Sequence, residues 1–177
     1  KYDNKDLLDA VELMLKGKST AQNYKLDVVN FTRQLLGNYS FAIFSAYKQA
    51  YKKHDFNTMQ EKERLMLSLM EDVDRLCASE NTFLMGKWIE EARAKGGKDS
   101  VEIKYYEQNA RNLLTTWGEK AALLNDYASR QWNGLVGSFY AQRYKIFFAA
   151  VNKAMIEGKE FGEKEEKEAQ KTITDFE

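Results

Sequence analysis

The chain has 177 residues, a formal net charge of zero, no proline, one cysteine and one histidine, and its length predicts a single domain. Zero net charge excludes the basic excess that binds nucleic-acid phosphates. The lone cysteine and lone histidine exclude an internal disulfide framework, multi-cysteine zinc sites and two-histidine metal sites.

No segment of the sequence is long and apolar enough to cross a bilayer. The most apolar run, Ile146 to Val151, has 6 residues, whereas a membrane-spanning helix needs about 20. The chain begins at Lys1, without a methionine or an apolar signal segment. We therefore expect no membrane span and expect the sequence to be part of a longer protein.

Apolar residues recur at helical spacing along the chain and predict an all-α fold, an antiparallel bundle of about six to seven helices. No period-two alternation is long enough for a strand. The predicted helical segments, in chain order, are Asn4–Leu15, Thr20–Lys53, Thr58–Cys77, Phe83–Lys95, Asp99–Trp117, Leu123–Gly137, Phe139–Ile156 and Glu163–Phe176.

Several polar residues and glycines predict where these helices begin and end. Gly17 is expected to end the first helix in the left-handed conformation, and Gly118 to follow the end of the fifth. Thr58 and Glu61 fit a capping box that would open the third helix. Asn81 is expected to cap the fourth helix, and either Asp99 or Ser100 is expected to open the fifth.

The titratable residues predict no catalytic or metal centre within the chain. A di-metal bundle site needs a Glu-x-x-His pair, but Tyr51 stands three residues before His54. His54 lies near a helix end and is expected at the surface, while Cys77 lies on an apolar helix face and is expected to be a buried, inert thiol. We expect no cofactor, since the sequence also lacks a phosphate-binding glycine loop.

Neighbouring glutamates raise the alternative of two-carboxylate hydrolysis. The pairs are Glu90-Glu91 and Glu165-Glu166. Adjacent helical positions point about 100° apart and do not face each other. We interpret both pairs as solvated helix faces.

Two aromatic residues bracket a break between predicted helices. Trp117 ends one helix, Gly118 follows it, and Tyr127 lies on the first turns of the next. Aromatic rings with polar tips suit the face of a sugar or a partner surface, although core packing would also explain them. The residues alone leave these alternatives open.

Nearly the whole sequence resembles the C-terminal all-helical domain of the alpha-N-acetylglucosaminidases, glycoside hydrolase family 89. The resemblance is specific from Phe83 to Arg143 and looser in the first half, at Asp27-Val28-Val29 and Thr32-Arg33-Gln34. The first motif is an FLxGxWxxxAR stretch, Phe83-Leu84-Met85-Gly86-Lys87-Trp88-Ile89-Glu90-Glu91-Ala92-Arg93. The second is Tyr106-Glu107-Gln108-Asn109-Ala110-Arg111 followed by Leu113, Thr115, Trp117 and Gly118. The pattern continues through Asp126-Tyr127-Ala128, Gln131, Gly134-Leu135-Val136, Tyr140 and Arg143.

This resemblance implies a helical domain packed beside a (β/α)8 catalytic barrel that lies outside residues 1–177. The family removes terminal α-linked N-acetylglucosamine from glycans, heparan sulfate among them, with retention, using two barrel glutamates. By resemblance, Trp117, Tyr127 and Leu124 line the sugar pocket, and no catalytic residue lies in this chain. The family also implies a secreted, periplasmic or lysosomal parent.

Two further functions fit the same sequence. A non-catalytic helical protein-interaction domain would use Trp117 and Tyr127 as part of a partner surface. A carbohydrate-binding module would bind sugar by itself, although one wall of a pocket offers few convergent polar groups. Against the family pattern, the turn after Trp117 is one residue longer and lacks a proline, and Ala141 stands where a proline often opens the last long helix.

Overall fold

The computed structural model describes residues 2–118 and 129–176, and the chain divides into two compact units between Phe83 and Leu84. The described residues form seven α-helices and no strand, so the predicted all-α class is confirmed. The helices are α1 (Asn4–Gly17), α2 (Gln22–Lys52), α3 (Phe56–Ala78), α4 (Met85–Lys95), α5 (Ser100–Leu114), α6 (Ala141–Ile156) and α7 (Glu163–Phe176).

The first unit is built around α2, which packs against both α1 and α3. A connection of only three residues joins α2 to α3, so the two helices run antiparallel. Their buried residues recur at spacings of three, four and seven, which places them on one face of each helix. This core contains Val29, Ile43, Tyr47, Met59, Met66, Leu69 and Val73.

Helix ends in the first unit differ from the prediction at two places. The capping box at Thr58 is wrong, because α3 begins at Phe56 and its N-cap is Asp55, whose carboxylate accepts a hydrogen bond of 3.0 Å from the Thr58 backbone N–H. Lys18, with φ of 48°, takes the left-handed position expected of Gly17. The predicted Asn81 cap of α4, the first helix of the second unit, is also wrong: Asn81 opens a short 3₁₀ turn that ends at Phe83, and the N-cap of α4 is Leu84.

The second unit contains two packed helix pairs, α4 with α5 and α6 with α7. Asp99 caps α5 as predicted, its carboxylate accepting hydrogen bonds from the backbone N–H groups of Val101 and Glu102. A π-helical turn, Val136–Tyr140, leads directly into α6. Its backbone bond from Tyr140 N to Leu135 O measures 3.1 Å.

The predicted helix over 123–137 is wrong for the part that the structure describes. Residues 129–135 are irregular, and Gly134 has a φ of 82°. Instead of forming a helix, this segment pairs with the start of α4: the Met85 N–H donates to Asn133 O at 3.1 Å. Leu84 and Asn133 also form an isolated parallel bridge.

Among the described residues, no helix is both long and apolar enough to cross a membrane. The prediction of a single domain over residues 1–177 stays a prediction.

Candidate functional site

Helix α5 ends earlier than predicted, and the residues that follow it form a tight, hydrogen-bonded turn. The helix stops at Leu114, because Thr115 leaves the helical region with φ of −120° and ψ of −98°. The Thr115 hydroxyl donates to the Arg111 carbonyl at 2.8 Å, and the Thr115 backbone N–H donates to the same oxygen at 3.1 Å. The turn therefore holds the next residues close to the end of α5.

Trp117 lies in this turn in an uncommon backbone conformation. Its φ is 60°, in the left-handed region that bulky residues rarely occupy. The Trp117 N–H donates to the Asn112 carbonyl at 2.7 Å, and the hydroxyl of the buried Thr116 donates to the Gly118 carbonyl at 2.8 Å. Such strain persists where the surrounding contacts enforce it, and it is concentrated at functional sites.

The Trp117 side chain is 37% exposed. It is thus neither a core ring nor a freely solvated one, and a half-exposed ring on a rigid turn can offer a face to a ligand. The two other predicted pocket residues, Tyr127 and Leu124, lie outside the described residues. The structure therefore positions one of the three predicted site residues.

Residues 130–133, which follow the part of the chain outside the described residues, pack against α4 in the same unit. The Trp88 indole N–H donates to the Ala110 carbonyl at 3.3 Å, and the Trp88 and Trp132 rings meet edge to face with centroids 6.1 Å apart. The Arg130 guanidinium lies 5.6 Å from the centre of the Trp132 ring. These contacts tie α4, α5 and residues 130–133 together.

A carboxylate between two arginines links α4 to α5. Glu107 accepts from Arg93 Nη1 at 3.1 Å and from Arg111 at 2.9 Å (Nε) and 2.7 Å (Nη2). The hydrogen bonds from Arg111, with a smaller contribution from Arg93, hold the pKa of the Glu107 carboxyl below its usual value. A carboxylate that stays ionised in this way does not act as a general acid near neutral pH.

An open groove of about 1080 Å³ runs beside the turn that carries Trp117. One wall is α5, the other is the π turn with the start of α6, and Phe176 of α7 also lines it. Asn112 and Thr115 belong both to this groove and to the turn that holds Trp117. The residue pattern did not predict the groove, because the lining residues of its two walls are 20 or more positions apart in sequence.

The remaining candidate residues do not form a reactive centre. Cys77 is fully buried, as predicted, and burial raises the pKa of its thiol to about 11, so it stays protonated and unreactive at neutral pH. His54 is exposed beside the end of α2, as predicted. Within residues 2–118 and 129–176, no three His, Cys, Asp or Glu side chains are placed to hold a metal ion.

The exposed glutamate pair also matches its interpretation. The side chains of Glu90 and Glu91 are 74% and 64% exposed and pair with Arg93 and Lys87 on the surface of α4.

The sequence did not predict the cluster formed by Arg93, Glu107 and Arg111. The i, i+4 spacing of Glu107 and Arg111 was its only visible signal.

Comparison with known proteins gives one consistent family. The alpha-N-acetylglucosaminidase C-terminal domain family matches residues 1–177. The human alpha-N-acetylglucosaminidase is 30% identical over 161 residues, which cover 89% of this chain and 21% of the human protein. The chain thus spans about a fifth of that relative's length.

Solved structures of a bacterial enzyme have the same fold. A family 89 glycoside hydrolase from Clostridium perfringens in complex with PUGNAc superimposes with a TM-score of 0.83 at 25% identity, covering 98% of this chain and 20% of that one. The same organism's enzyme in complex with its substrate GlcNAc-alpha-1,4-galactose gives a TM-score of 0.82 at 26% identity, again covering 98% and 20%.

Proposed function

Because the chain belongs to the alpha-N-acetylglucosaminidase C-terminal domain family of the family 89 glycoside hydrolases, we propose that it forms part of the substrate-pocket wall of a retaining exo-glycosidase. The proposed enzyme removes terminal α-linked N-acetylglucosamine from glycans with heparan-sulfate-like ends. Residues 1–177 act as one helical domain, packed beside a barrel domain elsewhere in a longer chain.

The chemistry in this proposal is done outside the chain. Retaining glycosidases use one carboxylate as nucleophile and one as acid and base, and we assign neither to residues 1–177. The low pKa of Glu107 and its two arginine partners support this division, since they suit a structural carboxylate better than a proton donor. No cofactor is required by this scheme.

Trp117 is the observation that supports the pocket role best. Its ring is half exposed, and its backbone is held in the strained turn at φ of 60° by the hydrogen bond from the Trp117 backbone N–H to the Asn112 carbonyl. A rigid ring of this kind packs against the apolar face of a sugar, excludes water and holds the glycosidic bond in position for attack. We propose Tyr127 and Leu124 as further pocket residues.

The test is the variant Trp117→Ala in the longer enzyme. Loss of a buried ring contact costs about 1–3 kcal/mol, so we expect kcat/KM on an aryl α-N-acetylglucosaminide to fall about 5- to 150-fold. Phe41→Ala is the matched control, because it removes a ring that is 76% exposed in the first unit. Wild-type kinetics for Trp117→Ala would remove the pocket assignment.

A non-catalytic protein-interaction domain is the second candidate. Val101 and Tyr105 on α5 favour it, since they are 73% and 61% exposed and offer an apolar surface to a partner. This alternative predicts that Trp117→Ala leaves turnover of the longer protein unchanged. The kinetic test above therefore separates the two candidates.

A further inference from the structure

The two walls of the groove beside the Trp117 turn carry the same kinds of side chain. On α5, Lys104, Gln108 and Asn112 line it at a spacing of four residues, which places them on one helix face. On the opposite wall, Ser138, Gln142 and Lys145 line it at spacings of four and three. Each wall thus offers one lysine and hydrogen-bonding side chains of the kind that bind sugar hydroxyls.

Two phenyl rings complete the lining. The Phe139 and Phe176 ring centres lie 5.9 Å apart with their planes tilted by 33°. Phe176 is 43% exposed, and both rings line the groove. The Arg143 guanidinium lies 5.0 Å from the centre of the Phe139 ring, so it is the exposed Phe176 ring that can pack against the C–H groups of a sugar.

The charge of the groove differs from that of the whole chain. Lys104, Arg111 and Lys145 line it with Glu107 as the one carboxylate among its lining residues, whereas the chain has a net charge of zero. Glu107 is already paired with Arg93 and Arg111. The two lysines therefore give the groove a positive potential that suits an anionic ligand.

The wall opposite α5 begins with an unusual element. Val136–Tyr140 is a π-helical turn, a rare conformation that occurs often at functional sites. Its Gly137, Ser138 and Phe139 all line the groove. The π-helical backbone therefore lies directly at the groove, where side chains that could bind a ligand line its wall.

We propose that this groove binds acidic sugar residues of the glycan, on the reducing side of the N-acetylglucosamine that the Trp117 pocket takes. Lys104 and Lys145 bind carboxylate or sulfate groups, and Gln108, Asn112 and Gln142 bind hydroxyl groups. The groove adjoins the pocket wall because the Asn112 carbonyl holds the Trp117 N–H. This inference rests on the proposed function, in which the pocket binds the non-reducing end of the same glycan.

Calorimetric binding to the 177-residue chain tests the groove without any turnover. The probe is a hexasaccharide of alternating glucuronic acid and N-acetylglucosamine, compared with the same hexasaccharide after reduction of its carboxylates to alcohols. The Lys104→Gln/Lys145→Gln double variant should raise the Kd for the acidic probe about fivefold to tenfold, as expected for two exposed charge contacts. The same variant should leave the Kd for the reduced probe unchanged.

The control is Lys98→Gln/Lys164→Gln, which removes the same charge from two exposed lysines of the second unit that do not line the groove. It should keep wild-type affinity for the acidic probe. Equal losses in both double variants, no loss in either, or absence of binding by the wild-type chain would overturn the proposal. Equally tight binding of a hexaglutamate peptide would also overturn it, in favour of an acidic protein partner.

The two proposals fail in different experiments. If the pocket assignment is wrong, Trp117→Ala leaves kcat/KM unchanged while the lysine variant still loses affinity. If the groove assignment is wrong, the lysine variant keeps its affinity while Trp117→Ala still loses turnover.

Discussion

Trp117 combines a strained backbone with a half-exposed ring. A left-handed conformation costs a residue with a β-carbon about 1–2 kcal/mol, and the hydrogen bonds around Asn112, Thr115 and Thr116 hold the turn despite that cost. A glycine would adopt φ of 60° without strain. The presence of a tryptophan at this position therefore fits a role for its ring rather than for its backbone.

The strain at Trp117 predicts that a glycine variant is more stable there than an alanine variant, the reverse of the usual order. Trp117→Gly should be more stable than Trp117→Ala by about 0.5–1 kcal/mol, because relief of about 1–2 kcal/mol of strain exceeds the extra chain entropy of glycine, about 0.5–1 kcal/mol. Urea unfolding of both variants, followed by circular dichroism, measures the difference.

Leu113 provides the comparison for this pair, since it lies within α5 and is 42% exposed. There the usual helical order should hold, with Leu113→Ala more stable than Leu113→Gly by about 1 kcal/mol. If Trp117→Ala were instead more stable than Trp117→Gly by about 0.5–1 kcal/mol, the cost of the chain entropy of glycine, the backbone at Trp117 would carry no strain.

The sequence predicted the position of Trp117 beside a helix break but not its conformation. Gly118 suggested that the turn would use glycine, whereas the positive φ belongs to Trp117 itself. The reason is that hydrogen bonds to Asn112 and Gly118 determine this turn, and these follow from where α5 stops. Periodicity placed that end three residues too late.

Among the secondary-structure elements, the α4–α5 hairpin determines where the turn and the groove lie. The bond from the Trp88 indole to the Ala110 carbonyl and the bonds from two arginines to Glu107 join the two helices. The lowered pKa of Glu107 means that its stabilising effect is present above the usual pKa of a glutamate. It is lost as the pH falls through the folded-state pKa.

Gly96 in the connection between these helices predicts a steric effect. A β-carbon there would collide with the backbone of Ile103, and overpacking of this kind costs about 1–3 kcal/mol. Gly96→Ala should therefore lower the free energy of unfolding by about that amount in urea titrations.

Gly86 gives a control of opposite sign in the same hairpin. It lies in the first turn of α4, and a β-carbon there would meet nothing within 4 Å. Gly86→Ala should raise the free energy of unfolding by up to about 1 kcal/mol, since alanine favours the helix. A neutral Gly96→Ala would show that the close approach of the two helices does not constrain the hairpin.

Helical periodicity located each of the seven α-helices of the described residues. All seven begin and end within three residues of a predicted segment. The helix predicted over 123–137 failed at residues 129–135 because Asn133 bonds to Met85 and the Trp132 ring packs on Trp88. Those partners lie more than 40 positions away, so local pattern does not reveal them.

For the molecule as a whole, the all-α class followed from helical periodicity, and the family followed from the ordered motifs between Phe83 and Arg143. The groove did not, because it depends on how α5, α6 and α7 pack together in the second unit. Trp117 stood out in the sequence because it lies beside a helix break, and the resemblance implied its role in a sugar pocket. Its exposed ring and left-handed backbone are compatible with that role, which stays a prediction.

A crystal structure of the longer enzyme with N-acetylglucosamine bound tests the central claim most directly. The measured quantity is the shortest distance between a heavy atom of the Trp117 ring and a ring atom of the sugar. We predict a distance of about 4.0–4.5 Å or less, the range of apolar contact. A sugar bound in the catalytic pocket with no Trp117 atom within about twice that distance would contradict the account.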